Sequence, residues 1–480
     1  MKKRTGFISE NLIDHCVFLY TVFCSLLILY MHDGYFDLMG SKALFFRYGM
    51  HLVLPVSLIV ILLKLLKWRR EKSDLFDLSV LFFLFASAVS TFNAYDIEYA
   101  FTGQQGWYVG FFAILSLVIV YFALKGGSLD RKSRTIIAVI FIAETLLVIA
   151  DCARLDLFGL KREFREFQYY NFFGTIGNSN WFVAYLSLFV PYYLYLYITE
   201  EKDRTNTFLF FAAVLGVTAS VLLGPDGIYI AFYVSFVFLI PFLVRKKEYL
   251  VRFLKLSLTV ILILFLISIL PVFGRRIERM AGIGKLIMDR TFLMLLFVSL
   301  SLCLFYLKKL DGKKFEKIRK RICLVSEGLL PLLAVAVICL VISRSEDDVS
   351  NGRLFLWQYS IRSFLNRYPL KLKLIGIGPE LLNNVYGPLA QGFDTVYVCS
   401  HSEPIQVLMT MGILGMIAWI GMWGSLFLDA YRSKGSLDLE KVALLSGMVG
   451  YFGQCFINSA TCPNLCYLVL FAALYRRKTC

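Results

Sequence analysis

The sequence is poor in the residues and motifs by which many enzymes are recognised. Its 480 residues include four histidines, and we find no H-E-x-x-H, C-x-x-C or P-loop pattern. The usual signatures of a zinc protease, a dithiol redox site and a nucleotide-binding loop are therefore missing. We accordingly expect no metal ion and no cofactor.

Acidic residues are also scarce. Asp and Glu number 34 against 50 Lys and Arg, so the formal net charge is +16. The basic residues concentrate in short loops between apolar runs, most densely at 245–252 and 308–321. This distribution is typical of membrane topology, because cytoplasmic loops carry an excess of Lys and Arg. It gives no support to a nucleic-acid partner.

The chain lacks a polar segment long enough for an ordinary soluble domain. Hydrophobic residues make up 58% of it, and the mean hydropathy is +0.68. The apolar runs are continuous rather than alternating, and this favours helices over barrel strands. We predict an all-α integral membrane protein with about 14 transmembrane helices (12–14), since one crossing takes about 20 residues. The predicted spans are 13–31, 48–66, 76–93, 107–124, 135–152, 180–198, 207–223, 228–244, 253–273, 291–307, 323–342, 405–427, 441–458 and 464–475, the last short enough to be re-entrant.

The charges orient these spans. With the N-terminal "MKKR" inside, both basic loops and the C-terminal "YRRK" also fall on the cytoplasmic side. No cleavable signal peptide is expected, because a full span follows "MKKR" without a small-residue cleavage site. The chain then divides into an N-terminal bundle at 1–342 with about 11 spans, a large structured extracytoplasmic loop at 343–404, and C-terminal spans at 405–480.

The large loop is predicted to contain an amphipathic helix within "SNGRLFLWQYSIRSFLNRYPL". Ser350 and Asn351 give a helix-start signal, and Pro369 ends the helix. The apolar residues fall at helical spacing on one face; they are Leu354, Trp357, Ile361, Phe364 and Leu365. Such a helix lies at the membrane surface or covers a cavity, with Arg353 at its start.

One histidine has an unusual neighbourhood, the segment "SHSEPIQ". Pro404 is tolerated in a first helical turn, so the next span is predicted to begin near 402–404 with Ser402 or Glu403 at its cap. His401 then precedes the helix N-terminus, whose positive end favours a neutral imidazole, while Glu403 pulls in the opposite direction. His401 is either a general base or a hydrogen-bonded interfacial residue.

Several segments together resemble the O-antigen ligase and O-antigen polymerase family. The most specific are "NGRLFLWQ" (351–358), "LIGIGPE" (374–380) and "SHSEPIQVLMTMGILG" (400–415), in that order. "GTIGNSNWFVAYLSLFVP" (174–191) and "STFNAYDIEYAFTGQQGWYVGF" (90–111) are similar to further parts of the family pattern. The resemblance thus extends over nearly the whole predicted topology.

The resemblance implies a metal-independent membrane glycosyltransferase, an oligosaccharide ligase or polymerase of the GT-C type. Its donor is a glycan on a polyprenyl pyrophosphate, its acceptor is a glycan, lipid or protein hydroxyl, and its place is the cytoplasmic membrane of a bacterium. His401 and Arg353 match the catalytic loop residues. The expected substrate-binding residues are Asn178, Asn180, Trp357, Gly378 and Glu403. The alternative from another class is a lipid-linked oligosaccharide flippase or other polysaccharide transporter.

The sequence departs from the family pattern at one turn. Many members carry Ser-Arg-Gly between two mid-chain spans, whereas this chain has "LLGPDGIY" (222–229) without an arginine. Arginine suits phosphate because its planar fork makes bidentate contacts. Either Arg162 and Arg165 or Arg275 and Arg276 are expected to supply that charge.

Two groups of carboxylates remain open to interpretation. The "EDD" at 346–348 is either a divalent-cation site or, more simply, a solvated loop end. Glu144 falls inside the fifth predicted span, where a carboxylate is costly and often functional, and it suggests a proton relay.

Overall fold

The computed structural model describes residues 2–66, 74–161, 171–201, 203–344, 353–383, 385–386, 399–433 and 437–477. The described chain is almost entirely helical, with one short antiparallel strand pair, β1 (Phe172–Phe173) and β2 (Gly177–Asn178). The helices are α1 (Lys2–Leu29), α2 (Leu38–Leu66), α3 (Leu75–Phe92), α4 (Ile97–Thr102), α5 (Phe111–Leu124), α6 (Arg131–Cys152), α7 (Ser179–Thr199), α8 (Asp203–Leu223), α9 (Asp226–Leu243), α10 (Lys247–Ile269), α11 (Gly274–Glu278), α12 (Gly282–Ile287), α13 (Arg290–Lys309), α14 (Gly312–Arg344), α15 (Arg353–Asn366), α16 (Leu370–Ile375), α17 (Glu403–Arg432), α18 (Leu439–Cys455) and α19 (Cys462–Tyr475).

The predicted all-α membrane architecture is confirmed. Ten helices within the described residues are long and apolar enough to cross a membrane. Each of the fourteen predicted segments coincides with a helix, although α5 and α19 are shorter than a usual crossing. The described residues therefore contain ten candidate membrane crossings.

The fourth predicted span begins too early. The sequence predicts it at 107–124, whereas α5 begins at Phe111. Gly103, Gly106 and Tyr108 all adopt positive φ, so the preceding residues form a turn that cannot continue into a helix. Trp107 consequently lies in that turn and outside the helix.

The chain forms two compact units. The first comprises Met1–Ile136, Ser345–Asp438 and Cys455–Cys480, and the second comprises Ile137–Arg344 and Leu439–Gln454. In the first unit, α17 packs along α3, and α5 packs against α2 and α19. In the second, α7 packs against α8 and α9, and α10 packs against α13.

Several basic residues satisfy the carbonyl groups at the ends of neighbouring helices. Lys64 Nζ, for example, donates to the carbonyl oxygens of Phe122 and Ala123 at 2.9 Å, at the end of α5. The last carbonyls of a helix lack partners within it, and a cation there also interacts favourably with the helix dipole. The same contact is made at other helix ends by Lys42, Lys247, Arg252, Arg276 and Arg290. Part of the positive charge therefore stabilises helix ends.

Candidate functional site

The predicted loop helix exists and begins at Arg353. Its buried face differs from the predicted one, because Leu356, Ser360 and Phe364 face inward while Ile361 and Leu365 are exposed. The Ser360 hydroxyl is accommodated there by hydrogen bonds with the Leu356 carbonyl at 2.7 Å and the Tyr386 hydroxyl at 2.6 Å. Ser360 is not among the residues predicted for the buried face, and these polar partners explain why its hydroxyl can be buried.

Trp357 joins this helix to the histidine segment. Its indole N–H donates to the carbonyl oxygen of Ser400 at 2.9 Å. The two motifs, 43 residues apart along the chain, therefore meet in the first unit. The observed contact of Trp357 fixes the peptide next to His401.

His401 lies where the sequence predicted, immediately before a helix. Ser402 is the N-cap of α17, and Pro404 lies in its first turn. Glu403, the first helical residue, is buried. His401 adopts φ 49°, in the left-handed region that side chains other than glycine rarely occupy. Such conformations persist only where the surroundings hold them, and they cluster at functional sites.

The His401 ring packs against Trp107 and is influenced by the charge of Arg353. The Trp107 and His401 ring centroids are 6.5 Å apart in an edge-to-face arrangement. Burial, and then the positive charge of Arg353, lower the pKa of His401 from 6.5 to about 4. The imidazole is thus neutral at neutral pH, as a general base must be. The helix dipole is also expected to lower the pKa of His401. The causes of the lowering, however, are burial and the positive charge of Arg353.

A polar chain continues behind His401. The Gln406 side-chain oxygen accepts from the Ser400 backbone N–H at 3.1 Å and from its hydroxyl at 3.2 Å. The Gln406 amide nitrogen donates to the Glu380 carboxyl at 3.4 Å. The Ser400 hydroxyl also donates to the Ser402 carbonyl at 2.7 Å. The backbone on the N-terminal side of His401 is therefore held by several hydrogen bonds.

The two glycine-rich motifs meet at a break in α17. Gly412 adopts φ 66° there, and a Cβ on it would lie 2.4 Å from the Leu374 carbonyl oxygen. A Cβ on Gly376, at φ 77°, would lie 2.1 Å from the Thr410 carbonyl oxygen. The Thr410 carbonyl instead accepts from the Gly378 N–H at 3.0 Å. Glycine thus allows the turn to dock into the break, which places Gly378 in a backbone contact.

In the second unit, Arg276 reaches the turn that lacks the expected arginine. It is buried, and its Nε donates to the Leu222 carbonyl at 2.8 Å. A further guanidinium N–H donates to the Leu223 carbonyl. Arg275 is exposed. Between the two candidate pairs from the sequence, the structure brings Arg276 to this turn, whereas Arg162 and Arg165 lie outside the described residues.

A second buried cation lies close to Arg276. The Arg276 guanidinium is 5.1 Å from the centroid of the Phe173 ring, and the Lys161 ammonium is 4.8 Å from the same centroid. Lys161 also pairs with Asp151 at 3.3 Å. The 171–178 segment is therefore held among charged side chains, and both cations contact one aromatic ring.

The other predicted residues of this unit have local structural contacts. The Asn178 side chain caps α7 by accepting the Asn180 N–H at 2.9 Å. Glu144 is fully buried and accepts from the Thr175 N–H at 3.1 Å and from its hydroxyl at 2.5 Å. Both residues stabilise the strand pair and the start of α7, and the proton relay at Glu144 stays a prediction.

Sequence reasoning missed three residues beside His401. They are Trp107, Glu380 and Gln406. Three glycines within "GQQGWYVG" (103–110) were a signal for a turn ahead of the span. No local signal linked that turn to residues about 300 positions later. Residues 346–348 lie outside the described residues, and within the described ranges no three potential metal-ligating side chains come together.

Part of the chain is similar to a known protein family. Residues 211–420 match the model of the O-antigen ligase family. This match includes Arg276, Arg353, Gly378 and His401. No curated protein matches the chain. Residues 211–420 of this membrane protein therefore match the O-antigen ligase family, and the resemblance seen in the sequence is confirmed over this part of the chain.

Proposed function

We propose that the protein transfers a glycan from a polyprenyl-pyrophosphate carrier to an acceptor hydroxyl on the outer side of the cytoplasmic membrane. It is an O-antigen ligase-like or polymerase-like glycosyltransferase of the GT-C type and takes part in bacterial cell-surface polysaccharide assembly. The acceptor belongs to a glycan, a lipid or a protein. The family match and the membrane helices support this class of reaction.

The observation that carries the proposal is the setting of His401. A neutral imidazole is held in a left-handed backbone conformation, next to Trp107 and within the electrostatic influence of Arg353. A solvated interfacial histidine needs none of these features. A neutral base beside a fixed cation suits a reaction in which a proton is removed while an anion leaves.

The bond changes follow from this pair. The acceptor hydroxyl oxygen attacks the anomeric carbon, and its proton passes to the His401 imidazole. The bond between the anomeric carbon and the phosphate oxygen breaks, and its electron pair departs with the polyprenyl pyrophosphate. Arg353 offsets the charge on that leaving group, and its planar fork suits two phosphate oxygens.

Donor binding raises the pKa of His401. The positive charge of Arg353 depresses the pKa of His401, and a bound pyrophosphate would offset that charge. The pKa of His401 then rises from about 4 toward neutrality, where a general base is most effective. His401 becomes a better proton acceptor when the donor is in place.

The remaining candidate residues have supporting roles in this proposal. Trp357 and Gly378 shape the loop around His401 through their backbone contacts, and Glu403 begins the helix behind it. Arg276 supplies an anion-binding charge at the 222–225 turn in its own unit, and Arg275, Arg162, Arg165, Asn178 and Asn180 are candidate substrate contacts. No metal ion takes part, and both termini lie in the cytoplasm.

The test measures release of polyprenyl pyrophosphate by the purified protein in lipid nanodiscs, supplied with a polyprenyl-pyrophosphate glycan. His401→Ala should retain donor binding and lose at least about a hundredfold in rate, the typical worth of a general base. His32→Ala is the matched control, because His32 is exposed and its side chain pairs with Asp33. Transport of the glycan lipid across vesicles without release would instead indicate a flippase.

A further inference from the structure

Glu380 is a buried carboxylic acid that the reaction described above does not use. It follows the Gly-Pro turn, is buried and adopts φ 64°, a left-handed conformation that is strained for a residue other than glycine. A buried carboxyl in a strained backbone is retained only where its surroundings hold it. The polar neighbours of Glu380 lie on two different segments, the start of α17 and the turn at 103–110.

The first segment is the start of α17 and the peptide before it. Gln406 donates to the Glu380 carboxyl at 3.4 Å and accepts from the Ser400 N–H at 3.1 Å. The Ser400 carbonyl is held from the other side by Trp357 at 2.9 Å. Ser400 directly precedes His401, so this chain constrains the left-handed backbone of the histidine.

The second segment is the turn at 103–110. The backbone groups of Gln104 and Val109 lie near enough to the Glu380 carboxyl to lower its pKa. The turn closes locally, since the Trp107 N–H donates to the Gln104 carbonyl at 3.1 Å. Trp107 is the aromatic residue whose ring meets the His401 imidazole. Glu380 therefore lies against the turn that carries the residue packed on the histidine ring.

The protonation state of Glu380 fits a neutral hydrogen-bonding role. Burial raises its pKa from 4.5 to about 8, although Gln406 and the backbone groups of Val109 and Gln104 oppose the rise. The carboxyl is therefore mainly protonated at neutral pH. A neutral acid can hold these donors without placing a negative charge next to the site.

We propose that Glu380 is a positioning residue for His401, holding its backbone through Gln406 and Ser400 and its ring through the 103–110 turn and Trp107. This inference rests on the proposed role of His401 as the base. Glu380 itself does not touch the reacting atoms. Its effect on the reaction is exerted through the orientation of His401.

The first experiment does not depend on turnover. The protein has four histidines, so ethoxyformylation of His401 by diethyl pyrocarbonate can be followed by mass spectrometry of its peptide. Glu380→Ala should raise the modification rate of His401 severalfold, because the ring and its backbone lose their supports. Glu380→Gln should restore most of the protection, since its amide oxygen can still accept from Gln406. Glu98→Ala is the control, because Glu98 is an exposed glutamate on the neighbouring α4.

The second experiment measures release of polyprenyl pyrophosphate. Glu380→Ala should lower kcat by about tenfold to a hundredfold, with a smaller effect on KM, since a misplacement of about 1 Å costs up to 10²-fold. In a His401→Ala background, the same change should cost nothing further. If Glu380→Ala fails to fold, Gln406→Leu breaks the same chain from the other side and should give the same two effects.

The outcomes distinguish the two proposals. Normal turnover in His401→Ala removes the proposed base, whatever Glu380 does. A large loss in His401→Ala, together with unchanged His401 reactivity and turnover in folded Glu380→Ala and Gln406→Leu, overturns the positioning role alone. An equal loss from Glu380→Ala with and without His401 also overturns it, because Glu380 would then act elsewhere.

Discussion

Replacing Arg353 tests the electrostatic core of the proposed mechanism. Arg353→Gln removes the positive charge while keeping a shorter polar side chain, and Arg353→Lys keeps the charge while removing the planar fork. We expect the two variants to differ in a specific way. The pKa of His401 should depend on whether residue 353 is positively charged. The rate of transfer should depend on whether residue 353 has a planar guanidinium group.

The magnitudes come from the setting of His401. Its pKa of about 4, compared with 6.5, corresponds to roughly 3 kcal/mol in favour of the neutral imidazole. Burial is the larger cause and Arg353 the smaller, so Arg353→Gln should raise the pKa only part of the way toward 6.5. Arg353→Lys should leave it low. Loss of a preorganised charge donor costs about 2.7–4 kcal/mol in the barrier, or roughly 10²–10³-fold in kcat.

Two assays separate these effects. The titration of His401 is followed by NMR of protein carrying ¹³C-labelled histidine, with His401→Gln used to assign the resonance among four histidines. Release of polyprenyl pyrophosphate gives kcat. Arg362→Ala is the control, because Arg362 is an exposed arginine on the same helix.

Three results would contradict these roles of Arg353. If Arg353→Gln keeps full activity, Arg353 is a helix-start residue without a role in transfer. If the pKa of His401 is the same with Gln as with Arg at position 353, the electrostatic coupling between them is refuted. If Lys restores full activity, a single point charge is sufficient and the bidentate contact is wrong.

Four further outcomes are expected. The pKa of His401 is lower in the folded protein, so the unfolded chain binds an extra proton between about pH 4 and 6.5. The free energy of unfolding should therefore rise with pH over that window. His401→Gln should flatten this rise in denaturation experiments. Gly412→Ala should lower the free energy of unfolding by at least roughly 1–3 kcal/mol, because alanine is strained at φ 66° and its Cβ would lie 2.4 Å from the Leu374 carbonyl oxygen. Gly424→Ala in the same helix, where a Cβ meets open space, should not lower it, and equal melting temperatures of the two variants would contradict this. A cysteine in place of the exposed Gln358 should react with an impermeant thiol reagent in intact cells, against the natural-cysteine protein as background, and labelling only after permeabilisation would reverse the orientation. Transfer should survive EDTA and the combined alanine replacement of residues 346–348, whereas a loss that magnesium restores would make that segment a metal site.

The positions of the helices were largely predictable because their determinants are local. A continuous apolar run forms a helix in lipid wherever it occurs, so every predicted span coincides with one. Pro404 in the first turn and Ser402 before it likewise predicted the start of α17. The early start of the fourth span was wrong, because several positive-φ residues made a turn that hydropathy did not register.

The burial of individual side chains was less predictable. The spacing in the loop helix indicated an apolar face that included Ile361 and Leu365, yet both are exposed. Ser360 is buried instead because Tyr386, from another segment, provides its hydrogen bond. A sequence pattern shows which side chains prefer to leave water, and it does not show which polar groups find partners.

The sequence by itself determined the membrane class, the family resemblance and the two residues on which the proposed chemistry depends, since each of these lies in a contiguous segment. The tertiary structure alone decided how those residues are poised. It brought Trp107 to the His401 ring, joined Glu380 to Ser400 through Gln406, and set the pKa of His401 by burial and by the charge of Arg353. Such effects depend on distances between atoms far apart in the chain, and these distances exist only once the helices have packed.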